Sequence, residues 1–452
     1  MKPAKADGAK GIANKRIPEW EHAEHKRYKC METKAKEIRY QSQQRHVRRE
    51  NLMYLVNEES LLEQHKKQKR RKAAGIDGVV KDEYDVNHEG RIHDLIQRMK
   101  QLQYRPQPVR RVYIPKTNGK TRPLGIPGYE DKLVQGVMAG VLNEVYEEIF
   151  LDCSYGFRPA RNCHDVVKEI YRTVMSKKVN YVLEADIKGF FDNLDHKWLM
   201  TFLEHDIADR RFLRYINRFL IAGIMEGTEV KDSDRGTPQG GLISPICANV
   251  YLHYVLDLWF QKKIKLRMRG EAYYLRYADD FVILFQYESD AKAVKNLLKE
   301  RLAKFSLELS EEKTRILPIG RFKGNEDRFD FLGFTFFNTK NKNGKYRLGV
   351  ISSKKKLKAK RQAAKTWIRE RMHKPIAETM KYMASIVRGH CNYYGISGNS
   401  SAVQKFVWYL QFTLYRMLNR RDQKGKMKRE CFWRIWNFYI PQPKVCVDIW
   451  NW

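Results

Sequence analysis

Apolar positions change their spacing along the chain, and the spacing separates strands from helices. Residues 109–115 (VRRVYIP) and 181–187 (YVLEADI) have the composition of β-strands, and the second is apolar enough to be buried. Residues 273–285 (YYLRYADDFVILF) contain two β segments around a short turn, which predicts a hairpin with two carboxylates at its tip. Residues 329–336 (FDFLGFTF) predict a further β run.

Helical patterns follow several of these strands. Asp195 is a suitable N-cap for the segment DHKWLMTFL, so the strand before it should deliver Asp186 near its carboxyl end. Ser289 is expected to cap the helix after the hairpin, whose apolar face would pack on the sheet. Residues 352–372 predict another helix, with a dense basic face. Residues 51–180 suggest a β-rich lobe with helical support.

The charge of the chain points to a polyanionic partner. Lys and Arg outnumber Asp and Glu by 87 to 53, which gives a net charge of +34. This excess, together with 9 Trp and 25 Tyr, favours nucleic acid over a membrane surface or a diffusely charged soluble surface. The sequence has no long apolar run and no signal-peptide pattern at its start, so we expect a cytoplasmic protein. Seven cysteines without a Cys-x-x-Cys pair indicate reduced thiols.

The candidate chemistry lies in three aspartates. Phosphoryl transfer to a growing nucleic-acid strand needs two divalent ions held by bridging carboxylates. Mg²⁺ suits this role because it prefers oxygen ligands. Asp279 and Asp280 at a hairpin tip, facing Asp186 from a neighbouring strand, could form such a cluster. An Asp-Asp pair in a turn is usually turn chemistry alone. Here both lie between core strands, where adjacent carboxylates would repel without a cation. Asp192 and Asp195 are expected to be turn or cap residues.

Five sequence blocks resemble those of group II intron-encoded reverse transcriptases, in the order of that family. Residues 277–280 (YADD) resemble its catalytic signature, and residues 186–192 (DIKGFFD) its first catalytic motif. Residues 235–249 (RGTPQGGLISPICAN) are similar to its template and nucleotide loop. Residues 154–159 (SYGFRP) and 331–334 (FLGF) are similar to further blocks. The resemblance covers residues from about 70 to about 430.

The resemblance implies roles at the site of nucleotide addition. Asp186, Asp279 and Asp280 would be catalytic and would bind two Mg²⁺ ions, with Mn²⁺ as a possible substitute and the Ile187 carbonyl as a further ligand. Phe191 would be the steric gate that excludes a 2′-hydroxyl, and core packing is its alternative role. The residues that the resemblance assigns to nucleotide binding are Lys116, Arg122, Phe191 and Gln239.

The resemblance also implies contacts to template and primer. Residues 331–333 correspond to the primer grip, and residues 352–372 and 388–395 (RGHCNYYG) to a thumb that also binds intron RNA. A solvated lysine-rich helix is the alternative for the basic helix. The roles of Arg276 and Lys313, which lie beside matching motifs, stay open. The residues assigned to template or primer are Arg158, Gly240, Leu332, Gly333, Lys354, Lys355, Lys356 and Lys358.

The fold expected from the family is an α+β right-hand polymerase with fingers, palm and thumb, a mixed palm sheet, a helical thumb and basic terminal extensions. The Cys/His endonuclease module of many family members has no counterpart before Trp452, so target DNA cleavage by this chain is not expected. The expected regions are a basic extension (1–50), fingers (51–180), palm (181–340, with 205–240 partly fingers), thumb or maturase domain (341–404) and a basic aromatic DNA-binding region (405–452).

The function implied is RNA-directed DNA polymerisation, with binding of intron RNA to assist splicing and retrohoming. The expected partners are an RNA template and primer duplex, deoxynucleotide triphosphates, group II intron RNA and a DNA target. Two alternatives stay open. One is a reverse transcriptase domesticated for defence or repair, and the other is an RNA-binding splicing factor without polymerase activity.

Overall fold

The computed structural model describes residues 48–115, 121–226, 229–231, 235–237, 240–324, 327–421 and 426–451. Almost all of the expected N-terminal extension lies outside these ranges. The described cysteines are all free thiols, as expected for reduced residues. Among the described helices, none is long and apolar enough to cross a bilayer.

Helices form most of the described chain before residue 180. The helix of residues Tyr129–Glu147 (α4) buries many apolar side chains, among them Leu133, Met138 and Leu142, and it packs against the helix of residues Glu58–Lys67 (α1). The expectation of a β-rich lobe is therefore wrong, because most apolar positions here follow helical spacing. The elements are α1 (Glu58–Lys67), α2 (Lys81–Tyr84), α3 (His88–Lys100), β1 (Val109–Pro115), β2 (Thr121–Ile126), α4 (Tyr129–Glu147) and α5 (Cys163–Ser176).

The helical region before residue 180, together with strands β1 and β2, is called the first lobe. Residues 224–231 add two more strands, β4 and β5, to its sheet. Asp195 accepts hydrogen bonds from the backbone of Lys197 and Trp198, which confirms it as an N-cap. The β1 strand pairs antiparallel with β2 and parallel with β4, and β4 pairs with β5. The elements are β3 (Tyr181–Ala185), α6 (Phe190–Asn193), α7 (His196–Asp206), α8 (Arg210–Ile221), β4 (Ile224–Glu226), β5 (Glu229–Lys231) and α9 (Ser244–Leu252).

A central four-stranded sheet has the strand order β6-β7-β3-β8. Its further elements are β6 (Ala272–Tyr277), β7 (Asp280–Phe285), α10 (Glu288–Lys304) and β8 (Arg315–Pro318). The predicted hairpin is confirmed, but the predicted mixed palm sheet is wrong: all three pairings are antiparallel, since the chain reverses direction between each neighbouring pair. The predicted Ser289 cap is also wrong, because α10 begins at Glu288 with Tyr287 in the cap position.

Both faces of the central sheet are buried. In β7, Phe281, Ile283 and Phe285 pack into one core with the helices of the first lobe. Val282 and Leu284 point the other way, into a second core formed with α5 and the strands that follow β8. This alternation explains why the strands read as continuous apolar runs in the sequence.

Residues 329–336 form a hairpin instead of the single predicted β run. The β9 (Arg328–Phe331) and β10 (Phe334–Lys340) strands are antiparallel, and β10 also pairs with β11 (Tyr346–Ser352). Leu332 and Gly333 turn the chain with φ angles of 49° and 79°. Gly333 is the one break signal in this run, and with apolar residues on both sides the pattern alone does not separate the two strands.

Four helices complete the described chain. The basic helix predicted for residues 352–372 is confirmed as α11 (Lys354–Glu370). It shares one hydrophobic core with α12 (Ile376–Tyr394), α13 (Ser400–Leu418) and α14 (Arg429–Tyr439). The expected division between residues 404 and 405 falls inside α13.

Candidate active site

Two strand ends bring the three predicted aspartates to one edge of the central sheet. Asp186 directly follows β3, Asp279 lies in the turn after β6, and Asp280 is the first residue of β7. Ala185 pairs with Phe281, so the same register continued by one residue sets Asp186 opposite Asp280. Because the two strands are antiparallel, the end of β3 lies beside the start of β7, and this brings their carboxylates together.

The three aspartates line a single cleft of about 1030 Å³. Phe191 contributes to its wall from α6, and Arg122 contributes from β2 of the first lobe. The opposite wall is the loop of residues 307–313. Within this cleft lie five of the side chains that sequence analysis assigned to catalysis or nucleotide binding.

The pKa values of Asp279 and Asp280 are both raised, chiefly by burial. Burial raises the pKa of Asp279, and the charge of Asp186 adds to the shift. Burial also raises the pKa of Asp280 to about 6, with further contributions from Asp279 and Asp186, although its side chain is partly open to the cleft. Lys313 and Lys356 act in the opposite direction on Asp280. Such a cluster favours cations beside it.

Lys313 supplies one internal cation. Its Nζ lies 2.7 Å from Oδ2 of Asp186, and this hydrogen bond raises the pKa of Lys313. The loop that carries it is tied to the strand end, since the Ser310 N–H donates to the Asp186 carbonyl at 2.8 Å. Ile187 forms a β-bridge with Leu309 in the same place. The backbone therefore fixes the position of Lys313 relative to the aspartates.

The donor set fits a hard divalent cation. Asp186, Asp279 and Asp280 offer only carboxylate oxygens, which Mg²⁺ and Mn²⁺ prefer. Burial and the neighbouring carboxylate charges raise the pKa values of Asp279 and Asp280, and added positive charge would offset both effects. In the described ranges, no three acidic, His or Cys side chains form a closed metal-ligand group. The aspartates line the cleft without closing around a single point.

A buried arginine holds the turn that carries Asp279. Arg276 is fully buried and forms an ion pair with Asp257, with N–O distances of 2.8 and 2.5 Å. Burial by itself would raise the pKa of Asp257, but Arg276 and His253 together outweigh burial and lower it. Arg276 also donates to the Ala278 carbonyl at 3.0 Å. Ala278 has a φ of 56°, so this bond supports a left-handed residue directly before Asp279 and Asp280.

Two other sequence blocks meet at this arginine. Arg276 donates to Oγ of Ser154 at 2.8 Å and to Oδ1 of Asn249 at 2.9 Å. Asn249 in turn donates to the Gly156 carbonyl at 2.7 Å. A Cβ on Gly156 would lie 2.3 Å from the backbone nitrogen of Ala278, so only glycine fits there. These blocks therefore brace the turn.

Asp257 was missed by sequence analysis. Its partner Arg276 lies 19 residues away, beyond the reach of any local pattern. The available signal is a carboxylate within the apolar run VYLHYVLDLWF at residues 250–260. A buried charge requires a partner, so this position could have been paired with a cation in advance.

The backbone beside Phe191 is held by the loop of residues 235–237. The Phe191 carbonyl accepts a hydrogen bond from the Thr237 N–H at 2.8 Å. Gly236 has a φ of 83°, and a Cβ there would lie 2.8 Å from the Asp192 carbonyl oxygen. The Phe191 ring packs edge-on against buried Phe190, with centroids 5.3 Å apart. Its ring is therefore partly in the core and partly in the cleft.

Of the other residues predicted to bind nucleotide, only Arg122 lies within the described part of the chain. Arg122 lines the cleft, and its charge lowers the pKa of Asp279. Lys116 and Gln239 lie outside the described residues. Gly240 has a φ of 119°, and a Cβ there would lie 2.4 Å from the Gly125 carbonyl oxygen on β2. This close approach explains the glycine and places it against the first lobe.

The burial of Arg158 contradicts its predicted contact with template or primer. Its side chain is 2% exposed and forms an ion pair with Glu147, with N–O distances of 2.7 and 3.0 Å. It also donates to the carbonyls of Leu151 and Ser154. Because these partners occupy the guanidinium inside the protein, Arg158 stabilises the end of α4 and reaches no ligand.

The turn at Leu332 and Gly333 rests on two tyrosines of α12. The Tyr393 hydroxyl donates to the Leu332 carbonyl at 2.8 Å. A Cβ on Gly333 would lie 3.0 Å from the Tyr394 hydroxyl oxygen. The Gly333 carbonyl accepts the Ser353 N–H at 2.9 Å, directly before α11. The predicted primer grip is thus joined to the helical region.

The basic helix α11 presents most of its lysines to solvent. The four side chains that sequence analysis assigned to template or primer are all exposed. The charge of one of them, Lys356, lowers the pKa of Asp280 in the cleft. The exposed lysines therefore begin close to the carboxylates. They are Lys354, Lys355, Lys356 and Lys358.

Comparisons with known proteins agree with the resemblance. Residues 114–336 match the family model described as reverse transcriptase (RNA-dependent DNA polymerase). The chain is 31% identical over 435 residues to the group II intron-encoded protein LtrA of Lactococcus lactis, covering 79% of this chain and 72% of that protein. It is also 31% identical to protein YkfC of Escherichia coli, covering 64% of this chain and 82% of that protein.

A solved structure of telomerase from Candida albicans, in complex with a fragment of telomeric RNA, aligns with a TM-score of 0.42 at 12% identity. The alignment covers 79% of this chain and 66% of the telomerase chain. The family assignment instead follows from the sequence relatives and the matched family model. The chain belongs to the group II intron-encoded family of reverse transcriptases, which are RNA-directed DNA polymerases.

Proposed function

We propose that this chain extends a primer 3′-end on an RNA template by two-metal nucleotidyl transfer at Asp186, Asp279 and Asp280. One observation carries the proposal: three carboxylates at two strand ends share one cleft with the aromatic ring of Phe191 and with Arg122 of the first lobe. When bound, two divalent ions would activate the 3′-hydroxyl and stabilise the leaving pyrophosphate. In this proposal the central sheet is the palm, the first lobe the fingers and the α11–α14 bundle the thumb.

The protein's own residues supply the remaining steps. Arg122 provides positive charge for the incoming triphosphate from the fingers side of the cleft. Phe191 presents its ring edge to the sugar and excludes a 2′-hydroxyl by contact. The Leu332 turn positions the primer end, because its backbone is held by Tyr393. The Arg276 network keeps Asp279 in place while these groups assemble.

The test of catalysis is the Asp279→Asn variant. It should abolish primer extension on an RNA template while leaving RNA affinity nearly unchanged, because a lost metal ligand removes several kcal/mol of transition-state stabilisation. Glu312→Gln, at an exposed carboxylate in the same cleft, is the matched control and should stay active. Extension by Asp279→Asn at more than about a tenth of the wild-type rate would remove the assignment.

We propose further that the chain binds structured group II intron RNA, assists its splicing and takes part in copying it into a DNA target. Exposed lysines on α11 support this role, since a basic helical face suits the backbone of A-form RNA. Splicing chemistry belongs to the RNA and needs only its folded shape. The cytoplasm, where intron RNA is made, is the corresponding location.

A lysine-to-alanine set on α11 tests RNA binding. Removing four cations should flatten the log–log dependence of RNA affinity on salt, because fewer counterions are released. The same variant should lose splicing of an intron transcript at moderate salt, whereas Asp279→Asn should still splice. The set is Lys354→Ala, Lys355→Ala, Lys356→Ala and Lys358→Ala. The control, four exposed lysines elsewhere, is Lys66→Ala, Lys67→Ala, Lys262→Ala and Lys263→Ala.

An unchanged salt slope in the α11 variant would place the RNA contact elsewhere. If wild-type protein does not affect splicing where the naked transcript folds poorly, the maturase role fails for that transcript. The reverse transcriptase would then serve defence or repair, with its polymerase chemistry intact.

A further inference from the structure

The outward face of α13 carries a stacked aromatic pair. Trp408 is 61% exposed and Phe412 is 47% exposed, although both are large apolar side chains. Their ring centroids are 5.6 Å apart and the ring planes differ by 9°. The guanidinium of Arg416 lies over the Phe412 ring at 5.6 Å from its centroid. Three successive helical turns thus present a ladder of flat groups to solvent.

This face is not needed to hold the helix in the bundle. The opposite side of α13 buries Phe406, Leu410 and Leu414 completely in the core shared with α11, α12 and α14. Single exposed apolar residues are ordinary on protein surfaces, but an exposed stacked pair capped by a cation is an ordered patch. The exposed patch is suited to bind a ligand with a flat, electron-rich or apolar face.

The charge around the ladder indicates that the ligand is also negatively charged. Residues 400–421 contain no Asp or Glu. Lys405 and Arg420 are exposed near the two ends of the ladder. Flat groups interleaved with cations, on a segment that contains no acidic residue, match a polyanion that also offers planar rings.

A basic recess lies on the neighbouring side of the helix. It has a volume of about 280 Å³ and runs between α11 and α13. Tyr409, the residue after Trp408, forms part of its wall, and the Arg361 guanidinium lies 5.2 Å from the Tyr409 ring centroid. The lining residues are Lys354, Leu357, Lys358, Arg361, Gln362 and Tyr409. Phosphates beside the ladder therefore have a cationic path toward α11.

We propose that Trp408, Phe412 and Arg416 form a stacking platform for unpaired nucleobases of an RNA strand, whose phosphates follow the recess between α11 and α13. A duplex is not suited to the platform, because the faces of its bases are already stacked on one another. A flexible single strand can splay its bases onto the rings. This inference rests on the proposed RNA-binding function and adds that the bound RNA is locally unpaired.

The test compares a single strand with a duplex of equal length. Fluorescence anisotropy with a labelled 12-residue oligouridine and a labelled 12-base-pair RNA duplex gives both affinities for the full chain. Trp408→Ala and Phe412→Ala should each weaken oligouridine binding by about 5-fold or more, since stacking contributes about 1–3 kcal/mol per base. Duplex affinity should stay within 2-fold, as is usual for a surface change away from the contact.

Matched variants separate stacking from loss of structure. Trp408→Phe keeps a ring and should retain most of the oligouridine affinity. Phe438→Ala removes a ring that is 81% exposed on α14 and should leave both affinities unchanged. Thermal melting should be the same for all variants, because none of the altered side chains is buried.

Several outcomes would overturn the platform. They are unchanged oligouridine affinity in Trp408→Ala and Phe412→Ala, or an equal loss for the duplex. Loss of binding to phosphatidylglycerol vesicles with oligouridine affinity intact would assign the patch to a lipid surface instead. Failure of the proposed polymerase function is distinguishable, because primer extension on a preformed RNA–DNA duplex should survive both variants and is abolished by Asp279→Asn.

Discussion

Lys313 places its ammonium nitrogen 2.7 Å from Oδ2 of Asp186, inside the cleft that holds all three aspartates. The same cation lowers the pKa of Asp279 and of Asp280. The protein thus offsets part of the negative charge of the cluster with its own side chain. A divalent ion that binds Asp186 competes with this ammonium group, so Lys313 affects both ionisation and metal binding.

Lys313→Met should move the acid limb of the activity profile to higher pH. The aspartates must be ionised to bind metal ions, and removal of the cation raises the pKa of Asp279 and Asp280. Primer-extension rates, normalised to each variant's maximum, give the midpoint of the limb at fixed Mg²⁺. Lys299→Met alters another lysine of the cleft and serves as the control. An unchanged midpoint would show that Lys313 does not control ionisation.

Asp280→Asn should stabilise the protein at pH 8 in the absence of divalent ions. The folded-state pKa of Asp280 is about 6, above its unfolded value of about 3.8, so ionisation disfavours the folded state. The gain should be full above pH 6 and vanish as the pH falls below about 4. Because the side chain is partly screened by solvent, the expected rise in Tm is about 1–2 °C.

Thermal melts of Asp280→Asn, wild type and Glu312→Gln across this pH range test the sign. Added Mg²⁺ should stabilise the wild type more than Asp280→Asn, since it binds the ionised carboxylates. A variant less stable than wild type at pH 8 would contradict the shift.

The sequence predicted the parts of this site that depend on local pattern. The apolar runs around Asp186 and Asp280 gave β3 and β7, and the position of Asp195 after a strand gave its cap. The placement of the strand ends then follows from pairing rules. Ser289 shows the limit of local reading, because a cap one or two residues away is equally compatible with its pattern.

The remaining parts depend on contacts between distant segments. Arg158 lies in a recognisable motif, but its ion pair with Glu147 on α4 keeps its side chain inside the protein. The chain reversal at Leu332 and Gly333 is supported by Tyr393, about sixty residues later in the sequence. Burial and partnership of this kind cannot be obtained from spacing along one sequence.

Arg276→Met should destabilise the protein by about 3–5 kcal/mol, because Asp257 is left as a buried charge without its partner. The double variant Arg276→Met with Asp257→Leu removes both charges and should recover most of the loss. Urea unfolding measures each step. A stable single variant would contradict the ion pair.

The double variant should still extend primers slowly. It lacks the donor to the Ala278 carbonyl, so the turn that presents Asp279 is less well held even when the core is repaired. Wild-type kcat in a stable double variant would show that Arg276 supports the fold alone.

Phe191→Val should raise incorporation of ribonucleotides relative to deoxynucleotides. The Phe191 ring reaches the cleft wall, and a smaller side chain leaves room for a 2′-hydroxyl. The ratio of kcat/KM for the two nucleotide classes measures the effect. Phe190→Val is the matched control: Phe190 is 2% exposed, so its truncation should lower stability without changing discrimination. Equal discrimination in an active Phe191→Val would make Phe191 a core residue.

Tyr393→Phe should weaken use of the primer with little effect on folding. The variant removes the hydroxyl that donates to the Leu332 carbonyl and keeps the ring that stacks on Phe334. One hydrogen bond of this kind contributes about 0.5–1.5 kcal/mol, which corresponds to about a 2- to 12-fold rise in KM for the primer–template duplex.

The rise in KM should appear without a matching fall in kcat at saturating duplex, because Tyr393 holds the turn and touches no reacting atom. Tyr439→Phe, at a tyrosine that packs against the core of the helical bundle and not against the Leu332 turn, should leave both constants unchanged. Unfolding in urea should show a loss no larger than one hydrogen bond. If KM stays constant while the hydroxyl is absent, the Leu332 turn is held by its own backbone, and the thumb makes no contribution through Tyr393 to the position of the primer end.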